Sequence, residues 1–559
     1  MVKALDRSAL HLGSSPDDPS AAAINKVGRR GPSWRPTDTG WVAVAAFVAY
    51  IGFGLWIRYD LHYIIGDSLA RTANAVYVIG GRDPHLGGIG FYWPPLHSLV
   101  QVPLIPLLQP FGRSELAGPI VSALSMAGTV AVLGALGRRL GTPWTVNLLA
   151  SIVFAFSPLM IFYGANGMSE ASFFFFVALA FYGYVGWTRS GSTATLATTA
   201  LALAGAELIR YEALLLVAVL AVCGCVHLKR RRRSVIAAAA LALPAVYAFV
   251  YLLVLQLVLV RDPLYFLKVG AGAAPKAEEL LRYVPDAQNY PFSAVTWSLS
   301  RTIAFSPAIV LLGLVLVRPL LHRRSRGPLA REAFALAGAW LVYPALNAVL
   351  VLQGKSFGNS RYFVVCTLIG TVAALWLASE HLDEEGIPGR RGGRMARAAL
   401  AILLVDLTAV VTTVAGTMPS YTKVEHEDVV FRAMLGESSE DRANDAANWQ
   451  EWRRLADEVD PRLTGDRRLL ADVSYAFPLV VFSNRVDHMI VTNDRDFQQV
   501  VADPGGRFQY VLVPRPGVVA SSRVRDVVTP IIAGSPTSWR SLGDFDKVTL
   551  YEYIGPASP

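Results

Sequence analysis

Long apolar runs broken by short basic clusters dominate the chain from about residue 40 to residue 416. A membrane-spanning helix needs roughly 20 mostly apolar residues. That length predicts spans at about 41–58, 115–137, 144–163, 170–188, 194–210, 212–228, 235–259, 299–319, 332–352, 361–380 and 396–416. The pattern is that of a polytopic α-helical membrane protein with about eleven transmembrane helices. A further apolar stretch, 94–111 ("PPLHSLVQVPLIPLLQPF"), carries five prolines. Proline costs a helix interior about 3 kcal/mol, so this stretch is expected to lie at the membrane face or re-enter it.

The basic clusters fix the expected orientation. With the N-terminus in the cytoplasm and 94–111 not crossing, "GRRLG" (137–141), "KRRRR" (229–233), "HRRSRGPLAR" (322–331) and "GRRGGRMAR" (389–397) all fall inside, as the positive-inside rule requires. The outward segments are then 59–114, 164–170, 210–212, 260–298, 353–363 and everything after about 417. Three domains are predicted: a disordered cytoplasmic tail (1–39), a transmembrane domain (40–416) whose first outward loop is 59–114, and an extracytoplasmic α/β domain (417–559). In the last, "WQEWRRLADEVDPRL" reads as an amphipathic helix. "RLLADVS", "PLVVFS", "HMIVT", "FQYVLVP" and "KVTLYEYI" read as short strands.

Composition agrees with this picture. The 559 residues are 53% hydrophobic and only 17% charged, and the mean hydropathy is +0.40, above that of ordinary soluble domains. The net charge of +9 sits in the loops between spans, where it encodes topology and not a nucleic-acid surface. The three cysteines, Cys223, Cys225 and Cys366, all lie inside apolar runs and read as small buried hydrophobes. No Walker motif and no internal repeat is present.

Charge at a membrane face is costly to hold, so each such residue is a functional candidate. The first outward loop, "WIRYDLHYIIGDSLARTANAVYVIGGRDPHLGGIGFYWPPLHSL" (56–99), carries Asp60, Asp67 and Asp83 with His62, His85 and His97. Asp67 stands near the start of an interfacial helix, where Asp67 or Ser68 also suits an N-cap. "FYGANGMSEASFFFF" supplies Asn166, Ser169 and Glu170, the last two equally suited to capping the next helix. "GAELIRYEALLL" supplies Glu207, Arg210, Tyr211 and Glu212, with Arg210 able to pair with either carboxylate. "GKSFGNSRYF" supplies Lys355, Arg361 and Tyr362. A planar guanidinium in these positions suits an oxyanion such as phosphate. No cofactor is expected. A divalent metal on the loop histidines stays open, although none of them has the i, i+4 spacing of a helical zinc site.

This arrangement resembles the GT-C class of integral-membrane glycosyltransferases, most closely the branch of the protein O-mannosyltransferases and the bacterial lipid A aminoarabinose transferase. The resemblance covers about residues 40–420. It rests on "YDLHYIIGDSLARTANAVYVIGGRDPHL" followed by the Pro-rich 94–111, and on the "YGANGMSE" corner. It implies transfer of a sugar from a polyprenyl-phosphate donor to an acceptor outside the membrane. Asp67 is then the implied general base and Glu170 a second catalytic contact. Arg210, Lys355 and Arg361 are implied for the lipid phosphate, with Asp60, Asn166, Tyr211, Glu212 and Tyr362 lining the substrates. The mannosyltransferases carry two adjacent acids in the first loop, whereas here Asp67 is followed by Ser68. The implied location is the plasma (inner) membrane, and the implied partners are donor, acceptor and membrane lipid, with no nucleic acid. The competing class is a transporter or lipid flippase, which usually shows internal repeats and midplane charges; Asp406 is the one charge in the middle of a predicted span. A third reading is an assembly protein that binds through its outer domain.

Overall fold

A computed structural model describes residues 37–90, 93–227, 231–270, 291–313, 328–353, 360–379, 427–434, 436, 440–502, 507–516, 522–545 and 547–555. Lys355, Asp406 and the predicted span 396–416 lie outside the described residues, as does most of the predicted tail.

The apolar runs form helices. They are α1 (Thr37–Tyr59), α2 (Gly66–Gly80), α3 (Ala117–Leu140), α4 (Trp144–Phe156), α5 (Pro158–Ala165), α6 (Glu170–Ser190), α7 (Thr193–Glu207), α8 (Ala213–His227), α9 (Arg231–Val260), α10 (Pro291–Ala304), α11 (Pro328–Leu352) and α12 (Val365–Leu377). Among the described residues, five helices are long and apolar enough to cross a membrane. A sixth span results if α4 and α5, bent by 59°, count as one. The bend falls where Pro158 opens α5, since a proline disfavours helical backbone in the residue before it. The predicted span 299–319 is likewise interrupted: α10 ends at Ala304, and helix resumes only after Pro307. The Pro-rich 94–111 folds into short turns, Leu96–Leu99, Val102–Leu104, Ile105–Leu108 and Gln109–Phe111, none long enough to span.

Helices α1, α3, α6 and α7 pack side by side around a core that includes Tyr50, Met126, Phe174 and Leu203. Close approach depends on small residues: a Cβ on Gly54 of α1 would lie 2.9 Å from the Ala165 carbonyl oxygen. The outer face of α9 leaves Leu243, Val246, Tyr247, Val250, Val254 and Val258 exposed. Such a face suits lipid, and the molecule is a multi-pass membrane protein.

After the helices comes α13 (Glu440–Val459), then β1 (Leu469–Ala471), α14 (Val473–Phe482), β2 (Met489–Val491), β3 (Tyr510–Pro514), α15 (Arg523–Gly534), β4 (Trp539–Asp544) and β5 (Val548–Tyr553). The strands form one sheet in the order β2-β1-β3-β5-β4. β1 pairs in parallel with β2 and β3, while β5 runs antiparallel to β3 and β4. One prediction fails here: "PLVVFS" is the second half of α14, not a strand. Asp472 caps that helix by accepting from the Ser474 N–H, and Tyr475, Ala476, Leu479 and Val480 then bury one helical face. β4 was not predicted.

Both faces of the sheet are covered, as parallel strands require. Leu470, Ile490 and Val511 face one core. Leu469, Met489 and Leu512 face another, which also contains Leu69, Ala73, Val76 and Tyr77 of α2. The helix that carries Asp67 therefore belongs to the core of the sheet region. Polar ties reinforce the contact. Arg82 grips Asp494 at 2.7 Å and also pairs with Asp496, Arg495 pairs with Asp83, and the Asn493 amide donates to the Gly88 carbonyl at 2.9 Å.

Candidate functional site

Asp67 sits in the first turn of α2. The cap position is Ile65, and no side chain makes the cap hydrogen bond, so the expected N-cap role is not seen. The carboxylate still gains from the positive end of the helix. It accepts a hydrogen bond from Arg361 Nη1 at 2.7 Å, across 294 residues of sequence. Arg361 stands in the turn Ser360–Tyr362 just ahead of α12, with Tyr362 half-buried beside it and its ring 5.3 Å away.

A second pair lies between α6 and the corner that joins α7 to α8. Arg210 Nη1 donates to Glu170 Oε1 at 2.7 Å, and its Nε donates to Glu212. Glu170 is 2% exposed. Of the two carboxylates offered to Arg210 by the sequence, Glu212 takes it. Both oxygens of Glu207 are buried without a hydrogen-bond partner among the described residues.

Arg71 joins the two pairs and was missed from sequence. It follows Asp67 by one helical turn, the i, i+4 spacing that puts two side chains on one face; that spacing was the available signal. It is buried, its guanidinium lies 4.4 Å over the Trp93 ring, and its charge acts on Asp67, Glu170, Arg210 and Arg361. Burial pulls it down to about 10, so it remains charged at neutral pH. Three carboxylates thus meet three guanidinia.

The "GANG" corner closes the site from one side. Asn166 Oδ1 accepts from the Met168 N–H at 2.8 Å, while its Nδ2 is buried without a partner among the described residues. Gly167 has φ +81°, and a Cβ there would lie 2.2 Å from Ser68 Oγ. Glycine lets the corner close on the first turn of α2. The same corner claims one of the loop histidines. His97 Nε2 lies 3.0 Å from the Gly167 carbonyl oxygen and Nδ1 3.0 Å from Ser172 Oγ. A carbonyl only accepts, so Nε2 carries the proton and Nδ1 accepts from the hydroxyl. Burial holds this imidazole down to about 4, so it is neutral at pH 7.

The remaining candidates go elsewhere. Asp60 is exposed past the end of α1, outside the network. Tyr211 turns to α9: its hydroxyl accepts from Gln256 Nε2 at 3.2 Å and its ring stacks on Phe266. His85 Nδ1 lies 2.6 Å from the Asp83 carbonyl oxygen, and hydrogen bonds from Arg495 hold the Asp83 carboxyl down at about 2. Among the described residues, no three His, Cys, Asp or Glu side chains are grouped so as to hold a metal ion.

No family model and no curated protein matches the sequence. Solved structures do. ArnT from Cupriavidus metallidurans bound to undecaprenyl phosphate is 16% identical, with 92% of this chain and 98% of that chain covered and a TM-score of 0.50. The same protein in the apo state is 14% identical, with coverage of 93% and 99% and a TM-score of 0.49. The apo oligosaccharyltransferase of Archaeoglobus fulgidus is 12% identical over 84% of this chain and 69% of that one, with a TM-score of 0.41. At such identities the likeness is one of fold, and the first of these structures carries it. The chain has the GT-C architecture that its sequence resembles.

Proposed function

We propose that this chain is a membrane glycosyltransferase that moves a sugar from a polyprenyl-phosphate donor to an acceptor outside the membrane. The reading rests on one observation above all: a carboxylate on an interfacial helix, Asp67, held at 2.7 Å by a guanidinium from a distant loop. The undecaprenyl phosphate bound to the similarly folded ArnT supports the donor class.

The chemistry follows from the charges. An acceptor hydroxyl attacks the anomeric carbon, the bond to the donor phosphate breaks, and negative charge grows on the departing lipid phosphate. Arg361 and Arg210, with Lys355 six positions before Arg361 in the sequence, neutralise that charge. Asp67 takes the proton, a role worth about 10²–10⁴ in rate. When the donor phosphate engages Arg361, it competes with Asp67 for that guanidinium and frees the carboxylate to act as a base. Glu170 contacts sugar or acceptor, alongside Asn166, Glu212 and Tyr362. The same reading places the protein in the plasma (inner) membrane with eleven crossings, 1–39 inside, a transmembrane domain over 40–416 and 417–559 outside.

The test incubates purified protein with radiolabelled polyprenyl-phosphate sugars and candidate acceptors. Asp67→Asn should abolish most transfer while circular dichroism and gel filtration stay unchanged. No transfer by well-folded wild type from any donor would favour a transporter instead.

A further inference from the structure

A second charged cluster lies apart from the first, where the ends of α1 and the start of α3 meet α13. Its hub is Glu115, 1% exposed. Glu115 Oε1 takes Arg453 Nη2 at 3.0 Å, Arg113 Nη1 at 3.9 Å and the Tyr59 hydroxyl at 3.5 Å. Arg58 reaches the same carboxylate electrostatically from the last turn of α1. It is 6% exposed, and its Nε and Nη2 are buried without a hydrogen-bond partner among the described residues; Glu115 Oε2 is likewise unpartnered. Asp60, the next residue but one, is exposed and enters none of these pairs.

We propose that this cluster is a binding site for the phosphate of an anionic lipid in the leaflet on the side of the sheet region. Three guanidinia face one carboxylate, so the cluster lacks negative charge, and a buried guanidinium with idle N–H groups is costly unless something accepts them. Phosphate fits, because its oxygens take the planar donor fork two at a time. The arrangement is built rather than floppy: Arg113 lies 4.9 Å over the Tyr59 ring and Arg453 lies 4.8 Å over the Phe482 ring. Both are partly exposed, at 46% and 37%, while Arg58, coupled to the same carboxylate, is buried. A lipid source follows from what adjoins the cluster in sequence. The Pro-rich stretch 94–111, which ends two residues before Arg113, exposes Val100, Leu107 and Phe111, an apolar surface for acyl chains. The site is independent of the transferase reading.

The experiment uses full-length protein, delipidated in detergent and titrated with phosphatidylglycerol or phosphatidylcholine, with retention read by native mass spectrometry. Wild type should hold one phosphatidylglycerol and discriminate against phosphatidylcholine. The double variant Arg113→Gln/Arg453→Gln should lose roughly tenfold or more in retention. Glu115→Gln removes the competing carboxylate and should retain phosphatidylglycerol more strongly, a gain that a purely structural ion cluster would not give. Inorganic phosphate then separates the sources: the lipid assignment expects it to displace phosphatidylglycerol only weakly, and full displacement at millimolar concentration would overturn that assignment. Equal retention of both lipids, or unchanged retention in folded double variant and folded Glu115→Gln, would overturn the site itself.

Discussion

The two charged clusters at the face of the helical bundle differ in their stoichiometry. Around Asp67, carboxylates and guanidinia alternate one to one: Asp67 with Arg361, Glu170 and Glu212 with Arg210, and Arg71 acting on both pairs. Around Glu115, one carboxylate serves three guanidinia. In the balanced cluster Arg71 Nη1 and Arg361 Nε are also buried without a hydrogen-bond partner among the described residues, but the charges cancel, so an anionic ligand competes there with a carboxylate, and the released carboxylate becomes available for chemistry. An unbalanced cluster gains an anion without giving anything up. The first design suits turnover and the second suits lasting occupancy.

The largest effect that can break this contrast is Asp67→Asn. It should cut transfer by about 10²–10⁴ and leave phosphatidylglycerol retention at the wild-type level, because no described ion pair links the two clusters. A variant that lost both would merge them into one site. Next comes Glu170→Gln, which leaves buried Arg210 with a single carboxylate. Losing a buried hydrogen bond to a charged group costs about 1.5–3 kcal/mol, read as a lower midpoint in thermal unfolding. The substitution also leaves two carboxylates facing three guanidinia, so donor phosphate should bind more tightly while transfer falls, whereas Glu115→Gln should tighten phosphatidylglycerol retention without changing transfer. Gly167→Ala should cost roughly 1–3 kcal/mol, because φ is +81° and the new methyl would meet Ser68 Oγ. It should also lower kcat, since Ser68 adjoins Asp67.

How far these clusters were legible in the sequence depends on how local their parts are. The long apolar runs announced α1, α3, α6, α9 and α11, because length and hydropathy alone decide whether a segment suits a membrane. Pro158 and Pro307 stand in plain view, but length and hydropathy run straight through them, and the break at each comes from proline geometry that those two measures ignore. "PLVVFS" looked like a strand because β-branched residues favour sheet; the Asp472 cap and burial against α2 overrode that preference. β4 reads "WRSLGD", whose Ser, Gly and Asp mimic a loop, and a register shift between Ser541 and Gly543 removes the alternation that marks a strand. Arg71 was readable from its spacing to Asp67. The partnerships of Arg361 with Asp67 and of Arg453 with Glu115 were not, because they join residues about three hundred positions apart. Tertiary packing alone creates them.

The smallest effect concerns pH, and it separates the corner of the balanced cluster from the rest of the fold. His97 is buried with a folded-state value of about 4, below the ordinary histidine value of about 6.5. The unfolded chain therefore binds a proton between those values that the folded chain does not. Above about pH 6.5 the contribution of neutral His97 to stability is complete, and it is lost progressively as pH falls toward 4, at up to about 1.4 kcal/mol per pH unit. His97→Gln keeps a polar group near the Gly167 carbonyl and Ser172 but cannot titrate. Unfolding midpoints measured from pH 7.5 to pH 4.5 should fall more steeply for wild type than for His97→Gln, and parallel curves would mean that His97 titrates alike in the folded and unfolded chains. Phosphatidylglycerol retention by the two proteins should follow one shared pH curve, since the described Glu115 cluster contains no imidazole.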